Sequence, residues 1–311
     1  CRGLGRSFGV NRNEDLDNYL TEQELIQHFV ELVAHGGGLT INVGPNADGT
    51  IPLIQQERLK ALGKWLEING EAIYGTRPYV IPCQQERRVT QMPPSETIDF
   101  DWVRNAPLRS VSTDHFTIHW SGEVVIPEDG QYTLTLIADD KAFVYKETFK
   151  MIWDNVLRYE KDASKNPLSQ TVLTLQKGEI LPLLVEFQEK DLEASISLKW
   201  SKDGGEPIPI PANWDGGIYW DKTVRCFTTK NNNLYIIEFE RPDCTKPLQI
   251  YNMPKINPKA TFQLLEDWGY NAKLKWKQDK DGTLTIDFSS ITQELLNHLE
   301  HAWVIEVMDY K

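Results

Sequence analysis

Hydrophobic positions along this chain change their period part-way, from helical spacing to alternation. After Thr21, the residues Leu25, Ile26, Phe29, Val30, Leu32 and Val33 fall at helical spacing, and Leu59, Leu62, Trp65 and Leu66 form a second stripe. Two amphipathic helices are predicted. Thr21-Glu22-Gln23-Glu24 fits a capping box at the start of the first, and Gly36-Gly37-Gly38 ends it. Pro52 suits the first turn of the second, and Asn69-Gly70 stops it. Between them a short strand begins at Leu39, with apolar residues on both sides of Asn42, as in a strand covered on both faces. Pro45-Asn46-Ala47-Asp48-Gly49 is a turn cluster. Loop, helix, buried strand, tight turn and helix is the repeat of a parallel α/β structure. Such strands carry function at their C-terminal ends, here Asn42 to Gly49.

Further on the period is two. Phe116-Thr117-Ile118-His119-Trp120, Tyr132-Thr133-Leu134-Thr135-Leu136, Thr171-Val172-Leu173-Thr174-Leu175, Leu183-Leu184-Val185-Glu186-Phe187 and Ala194 through Trp200 read as short strands of a β-sandwich. After Lys222, Val224 through Lys230 and Leu234 through Phe239 form a predicted hairpin across Asn231-Asn232-Asn233. More strands fall near Leu274-Lys275-Trp276, Leu284 through Phe288, and Ala302 through Val307. The Pro- and Gln-bearing stretch from Val80 to Pro94 reads as a linker or an edge strand.

A chain of 311 residues has room for two or three domains. It has 40% apolar residues and no long apolar run, the composition of a soluble globular chain without a membrane span. A net charge of −12 argues against nucleic acid or an anionic membrane as partner. Ten Trp and eleven Tyr suit sugar faces, although aromatic residues fill cores more often. None of Cys1, Cys83, Cys226 and Cys244 forms a C-x-x-C pair. Buried free thiols are the preferred reading, with a Cys226–Cys244 disulfide as the alternative in an oxidising compartment. The chain begins at Cys1 with no signal peptide, so its true start is expected upstream.

Ser7-Phe8-Gly9-Val10-Asn11-Arg12-Asn13-Glu14, Asn42-Val43-Gly44-Pro45 with Asp48-Gly49-Thr50-Ile51, Gln56-Glu57-Arg58-Leu59, and Asn69 through Pro78 together resemble family-29 α-L-fucosidases. One departure is Val10, where that family usually has Tyr. The resemblance implies a (β/α)8 barrel followed by a C-terminal β-sandwich. A closed barrel needs about 250 residues, and only about two of its eight units fit before residue 80. Residues 1–79 are therefore expected to be the last two βα units, with the N-terminal barrel portion missing, and residues 80–96 and 222–311 the C-terminal β-sandwich. His119-Trp120-Ser121-Gly122, Pro127 through Tyr132, Ala138-Asp139-Asp140, Leu175 through Gly178, and Leu198-Lys199-Trp200 with Pro207-Ile208-Pro209 resemble the protective-antigen-type domain. That places an inserted β-sandwich at residues 97–221 and makes the fold class multidomain α/β plus all-β.

Retaining glycosidases use two carboxyl groups about 5–5.5 Å apart, one as nucleophile and one as acid/base. By resemblance, the nucleophilic Asp lies well upstream and the acid/base Glu just before the Ser-Phe-Gly motif, so neither is in this chain and no catalytic residue is nominated. Glu14, Asp15 and Asp17 read as solvated acids beside the helix start, and Asp48 as a turn residue. What remains can shape a sugar pocket. Phe8 is placed to pack on a deoxy sugar or into the core, while Asn11, Arg12 and Asn42 are placed to bond hydroxyls or to hold the loop and strand end. In some protective-antigen-type domains a paired Asp matching Asp139-Asp140 chelates Ca²⁺, with Asp154 and Asn155 as further donors here; a structural turn or an Asp–Lys141 pair is the competing reading. Hydrolysis calls for no cofactor. The resemblance implies a partial retaining α-L-fucosidase acting on fucosylated glycans, inactive alone, secreted or periplasmic. The alternative is a carbohydrate-binding module acting through the inserted domain. Two strands cut from a barrel leave bare apolar faces and open edges, so residues 1–79 are expected to be poorly protected in hydrogen exchange.

Overall fold

A computed structural model describes residues 1–145, 157–159, 168–266 and 272–311, and divides into two compact units. The first joins Cys1–Gln85 with Thr223–Lys311, and the second is Glu86–Lys222.

At the centre of the first unit lie the strands Asn233–Glu238 and Trp303–Met308, paired antiparallel with Ile236 opposite Ile305. Alternation sends Leu234, Ile236, Trp303, Ile305 and Val307 to one side, where they join Phe262, Leu274, Leu284, Ile286 and Phe288 in the core of the antiparallel strands. Tyr235, Ile237, Ala302 and Val304 face the other way. That second face is covered by the helices Glu22–Ala34 (α1) and Leu53–Asn69 (α2), through Ile26, Val30, Ala34 and Trp65. A strand buried on both faces must be apolar at nearly every position, which is why Leu234 through Phe239 breaks the alternation seen elsewhere.

Polar bonds fix the helices to this face. Gln27 Nε2 donates to the carbonyls of Phe239 (3.0 Å) and His301 (2.8 Å), and Trp65 Nε1 to that of Ala302 (2.7 Å). The capping box is present: Glu24 N donates to Thr21 Oγ1 (3.2 Å) and Thr21 N to Glu24 Oε2 (2.7 Å). At the other end Gly36 takes φ +82°, and the amides of Gly36 and Gly37 close onto the carbonyls of Val33 and Leu32, the bonding of a Schellman stop. Residues 1–79 are thus less bare than the sequence suggested, because the strands of residues 223–311 supply a cover for the helices.

Cys83 and Cys226 form a disulfide, with Cys1 and Cys244 free. This corrects both cysteine readings from sequence. The two lie on the strands Arg77–Gln91 and Asp215–Lys230, which pair although the cysteines are 143 positions apart. No spacing rule reaches that far. Of the two readings for Val80 to Pro94, the strand is the one found.

The second unit has two sheets about one core. One runs in the order 215–220, Phe116–Val125, Ile180–Gln188, Lys141–Tyr145, Leu157–Tyr159. The other runs Ile208–Pro209, Ala194–Lys202, Gly130–Ala138, Leu168–Leu175, with Asp99–Val103 also paired to Ala194–Lys202. Trp120, Trp200, Trp214 and Trp220 are buried between them, and Trp65 and Trp303 are buried in the first unit, so most of the tryptophan content serves cores. No helix among the described residues is long and apolar enough to cross a membrane.

Two outcomes follow from α1 and α2 lying on the strand face. In native-state hydrogen exchange, amides of α1 are expected to be protected alongside Leu234–Ile237 and more strongly than those of residues 5–14 and 43–50; equal exposure of α1 and these loops would contradict the packing. Trp65→Ala, which removes a buried ring and its bond to Ala302, should cost about 3–5 kcal/mol in equilibrium denaturation of this unit.

Candidate functional site

The strands Arg2–Gly3 and Ile41–Asn42 pair in parallel with Gly3 beside Asn42, so the chain leaves both strands at the same edge. The two segments that follow, residues 5–14 and 43–50, meet there. Asn42 Nδ2 donates to the Phe8 carbonyl, tying the first loop to the end of the second strand. The approach is so close that a Cβ on Gly44 would stand 2.4 Å from Val10 N and 2.6 Å from the Gly9 carbonyl carbon. Only glycine fits at this place in Asn-Val-Gly-Pro. Gly44 N in turn donates to Oε1 of the buried Gln55 on α2 (3.1 Å), which anchors the turn to the helix.

Glu14 organises the first loop from within. Its Oε1 accepts the amides of Arg6 (2.5 Å) and Ser7 (3.1 Å), and its carboxyl sits where a Cβ on Gly5 would be. The expectation of a solvated acid beside the helix is corrected for Glu14; the missing signal was Gly5, whose lack of a side chain admits the carboxylate. Asp15 caps the short turn Leu16–Asn18 by accepting the Asp17 amide (3.2 Å). Asp48 accepts the hydroxyl (2.7 Å) and amide (3.0 Å) of Thr50, which hold its carboxyl below the usual range, as suits a turn residue.

The structure brings Phe8 and Asn42 together through the Phe8 backbone and leaves Phe8 62% exposed. Asn11 Nδ2 donates to Ser7 Oγ (3.1 Å), and its Oδ1 accepts the Asn13 amide (3.0 Å), so Asn11 shapes the loop. Arg12 is exposed on the same loop. Phe8, the Asn11-braced turn and Arg12 thus belong to one loop, with Phe8 and Arg12 both exposed. This arrangement can position a polar, partly apolar ligand.

Asp139 and Asp140 belong to the second unit. Asp139 Oδ1 accepts the amides of Ser195 (2.8 Å) and Asp140 (3.1 Å), and Asp140 Oδ2 accepts those of Lys190 (2.7 Å) and Asp191 (3.4 Å). Beside them Glu189 is 4% exposed, and neither of its oxygens meets a donor. Its burial, with the charges of Asp139, Asp140 and Asp114 around it, pushes the Glu189 carboxyl up to about 8. No group of three or more His, Cys, Asp or Glu side chains that could hold a metal occurs among the described residues. The backbone amides that Asp139 and Asp140 accept fit the reading of the pair as a structural turn, whereas calcium would call for six to eight oxygen ligands. The further donors considered from sequence, Asp154 and Asn155, lie outside the described residues.

Residues 1–71 match the family model for alpha-L-fucosidase, and residues 83–214 match that for the PA14 domain. Both agree with the motifs read from sequence. The plasma alpha-L-fucosidase of Rattus norvegicus is 48% identical over 73 residues, 24% of this chain and 16% of that protein. The tissue alpha-L-fucosidase of Homo sapiens is 44% identical over 93 residues, 30% of this chain and 20% of that protein. The chain therefore spans a fifth or less of the length of these relatives. A Thermotoga maritima alpha-fucosidase solved in complex with fucose is 19% identical with a TM-score of 0.47, covering 99% of this chain and 39% of that one.

Gly44→Ala should push the 5–14 loop off the turn, read as faster proteolysis or exchange in that loop with α1 still protected; unchanged loop protection would show that the close approach is absent. For Glu189 the sign follows from its raised value. Between the ordinary 4.5 and about 8 the folded chain holds a proton that the unfolded chain releases, so the stability of the second unit falls as pH rises through that window. Thermal melts over this range should show the slope, Glu189→Gln should flatten it, and a chelator should leave it in place.

Proposed function

We propose that this chain is the closing part of a retaining α-L-fucosidase, shaping the sugar pocket while carboxylates supplied by an upstream barrel portion perform the hydrolysis. The observation that carries this reading is a coincidence of two findings. The fucosidase model matches residues 1–71, and within that span the sequence builds a braced junction at the C-terminal ends of two parallel strands. In an α/β barrel that is where sites are made. Arg2–Gly3 and Ile41–Asn42, with α1 and α2, correspond on this reading to the last two βα units of a (β/α)8 barrel. Phe8 offers its ring to the C–H face of the deoxy sugar, Arg12 donates to hydroxyls, and Asn11, Asn42 and Glu14 hold the loop that carries them. Fucosylated glycans are the substrates. The Cys83–Cys226 bond supports a secreted or periplasmic location, since disulfides persist in oxidising compartments.

A second reading treats the inserted unit as a carbohydrate-binding module, favoured by the PA14 match across residues 83–214. The two readings are compatible, one for each unit.

The 311-residue chain alone is expected to release nothing from a chromogenic α-L-fucoside, and the same chain joined to its upstream barrel to hydrolyse it. In the joined enzyme, Arg12→Ala should lower kcat/KM roughly tenfold, equivalent to about 1.4 kcal/mol of transition-state binding. Turnover by the chain alone would overturn the division of labour, and a joined enzyme inert on fucosides would overturn the fucosidase reading itself.

A further inference from the structure

In the first sheet of the second unit, four neighbouring strands are in register along the row Gly217, His119, Glu186, Phe143. Their inward partners Ile118, Trp120, Val185, Phe187, Ala142, Val144 and Ile218 are all buried in the core. Alternation therefore turns the row outward, together with Tyr219 and Tyr145 on the rows to either side. An outward sheet face is ordinarily polar. This one carries three aromatic side chains around the contact between His119 and Glu186.

The geometry of the patch is specific. His119 Nε2 lies 3.4 Å from Glu186 Oε2, and Glu186 Oε1 accepts Gln188 Nε2. The His119 and Tyr219 rings have centroids 5.0 Å apart, while Phe143 and Tyr145 lie 6.3 Å apart and near-parallel, at 24°. Gly217, opposite His119, adds no side chain to the row. Strands are spaced about 4.8 Å, so His119 and Phe143 stand roughly 10 Å apart with Glu186 on the strand between. The bonds from His119 and Gln188 hold the Glu186 carboxyl below its ordinary value, so it stays an acceptor at neutral pH. Burial and the Glu186 charge push the Tyr145 phenol up, so it stays a donor.

We infer that this outer sheet face binds an uncharged oligosaccharide, with ring C–H faces on the Tyr219–His119 and Phe143–Tyr145 pairs and hydroxyl groups bonded to Glu186, Gln188 and His119. Flat rings with a polar centre match the two sides of a pyranose, one apolar and one rich in hydroxyls. The central carboxylate and a net charge of −12 disfavour acidic sugars. The inference rests on the module reading of the inserted unit, gives it a site, and needs neither calcium nor the fucosidase reading.

The test is calorimetric titration of the full chain with lactose, cellobiose and maltose, with and without a chelator, for the parent and for Tyr219→Ala, Phe143→Ala and Glu186→Gln. These side chains are outward-facing, and unchanged melting curves verify that the variants fold. The expected result is chelator-insensitive binding of at least one sugar, weakened roughly tenfold or more by Tyr219→Ala and by Glu186→Gln. Binding that survives all three variants but is lost with chelator or with Asp140→Asn overturns this site while leaving the module reading standing. Absence of heat with every sugar at millimolar concentration overturns both, and leaves the fucosidase reading untouched.

Discussion

Burial of one pair of strands on both faces is the constraint from which the first unit is built. Asn233–Glu238 and Trp303–Met308 cannot be satisfied by a sandwich core alone, because Tyr235, Ile237 and Val304 turn away from it. Something apolar has to lie on that side, and α1 and α2 do so with Ile26, Val30 and Trp65. Polar groups of these strands are tied into a network. Tyr235 donates to Glu71 (3.2 Å), and Glu306 accepts from Asn233 (2.7 Å) and Gln263 (2.6 Å). Buried polar groups are tolerated when partnered in this way. The position of the candidate site depends on this packing, since Gln55 of α2 holds Gly44, and Gly44 admits the Gly9–Val10 backbone.

Much of this was legible in the sequence, and what was not has identifiable causes. The capping box at Thr21, the glycine stop after α1 and the hairpin about Asn231 rest on contacts within a few residues, and local patterns report such contacts well. The strand Arg77–Gln91 was only half legible, because Gln84, Gln85, Glu86, Arg87 and Arg88 interrupt any apolar alternation; pairing with a strand more than a hundred positions away makes it. The disulfide was illegible for the same reason.

At the candidate site, Asn42 and Phe8 were reached through motifs, and the structure joins the Asn42 side chain to the Phe8 backbone carbonyl. Glu14 was misjudged because its partners, the amides of Arg6 and Ser7, carry no side-chain signature. The acidic corner was half seen: Asp139 and Asp140 stand together in sequence, whereas Glu189 reaches them only through the fold. Burial and the neighbouring acids together raise its carboxyl.

The sulfur bridge at Cys83 and Cys226 changes how the inserted unit weighs on its host. A cross-link around so long a loop would, by chain entropy alone, stabilise by about 5 kcal/mol. Yet the folded insert already holds its own ends together, with Arg87 3.3 Å from Asp221, so much of that entropy is gone before the sulfurs join. The bridge thus clamps the framework's own two strands at the place where the chain departs for the insert and comes back from it.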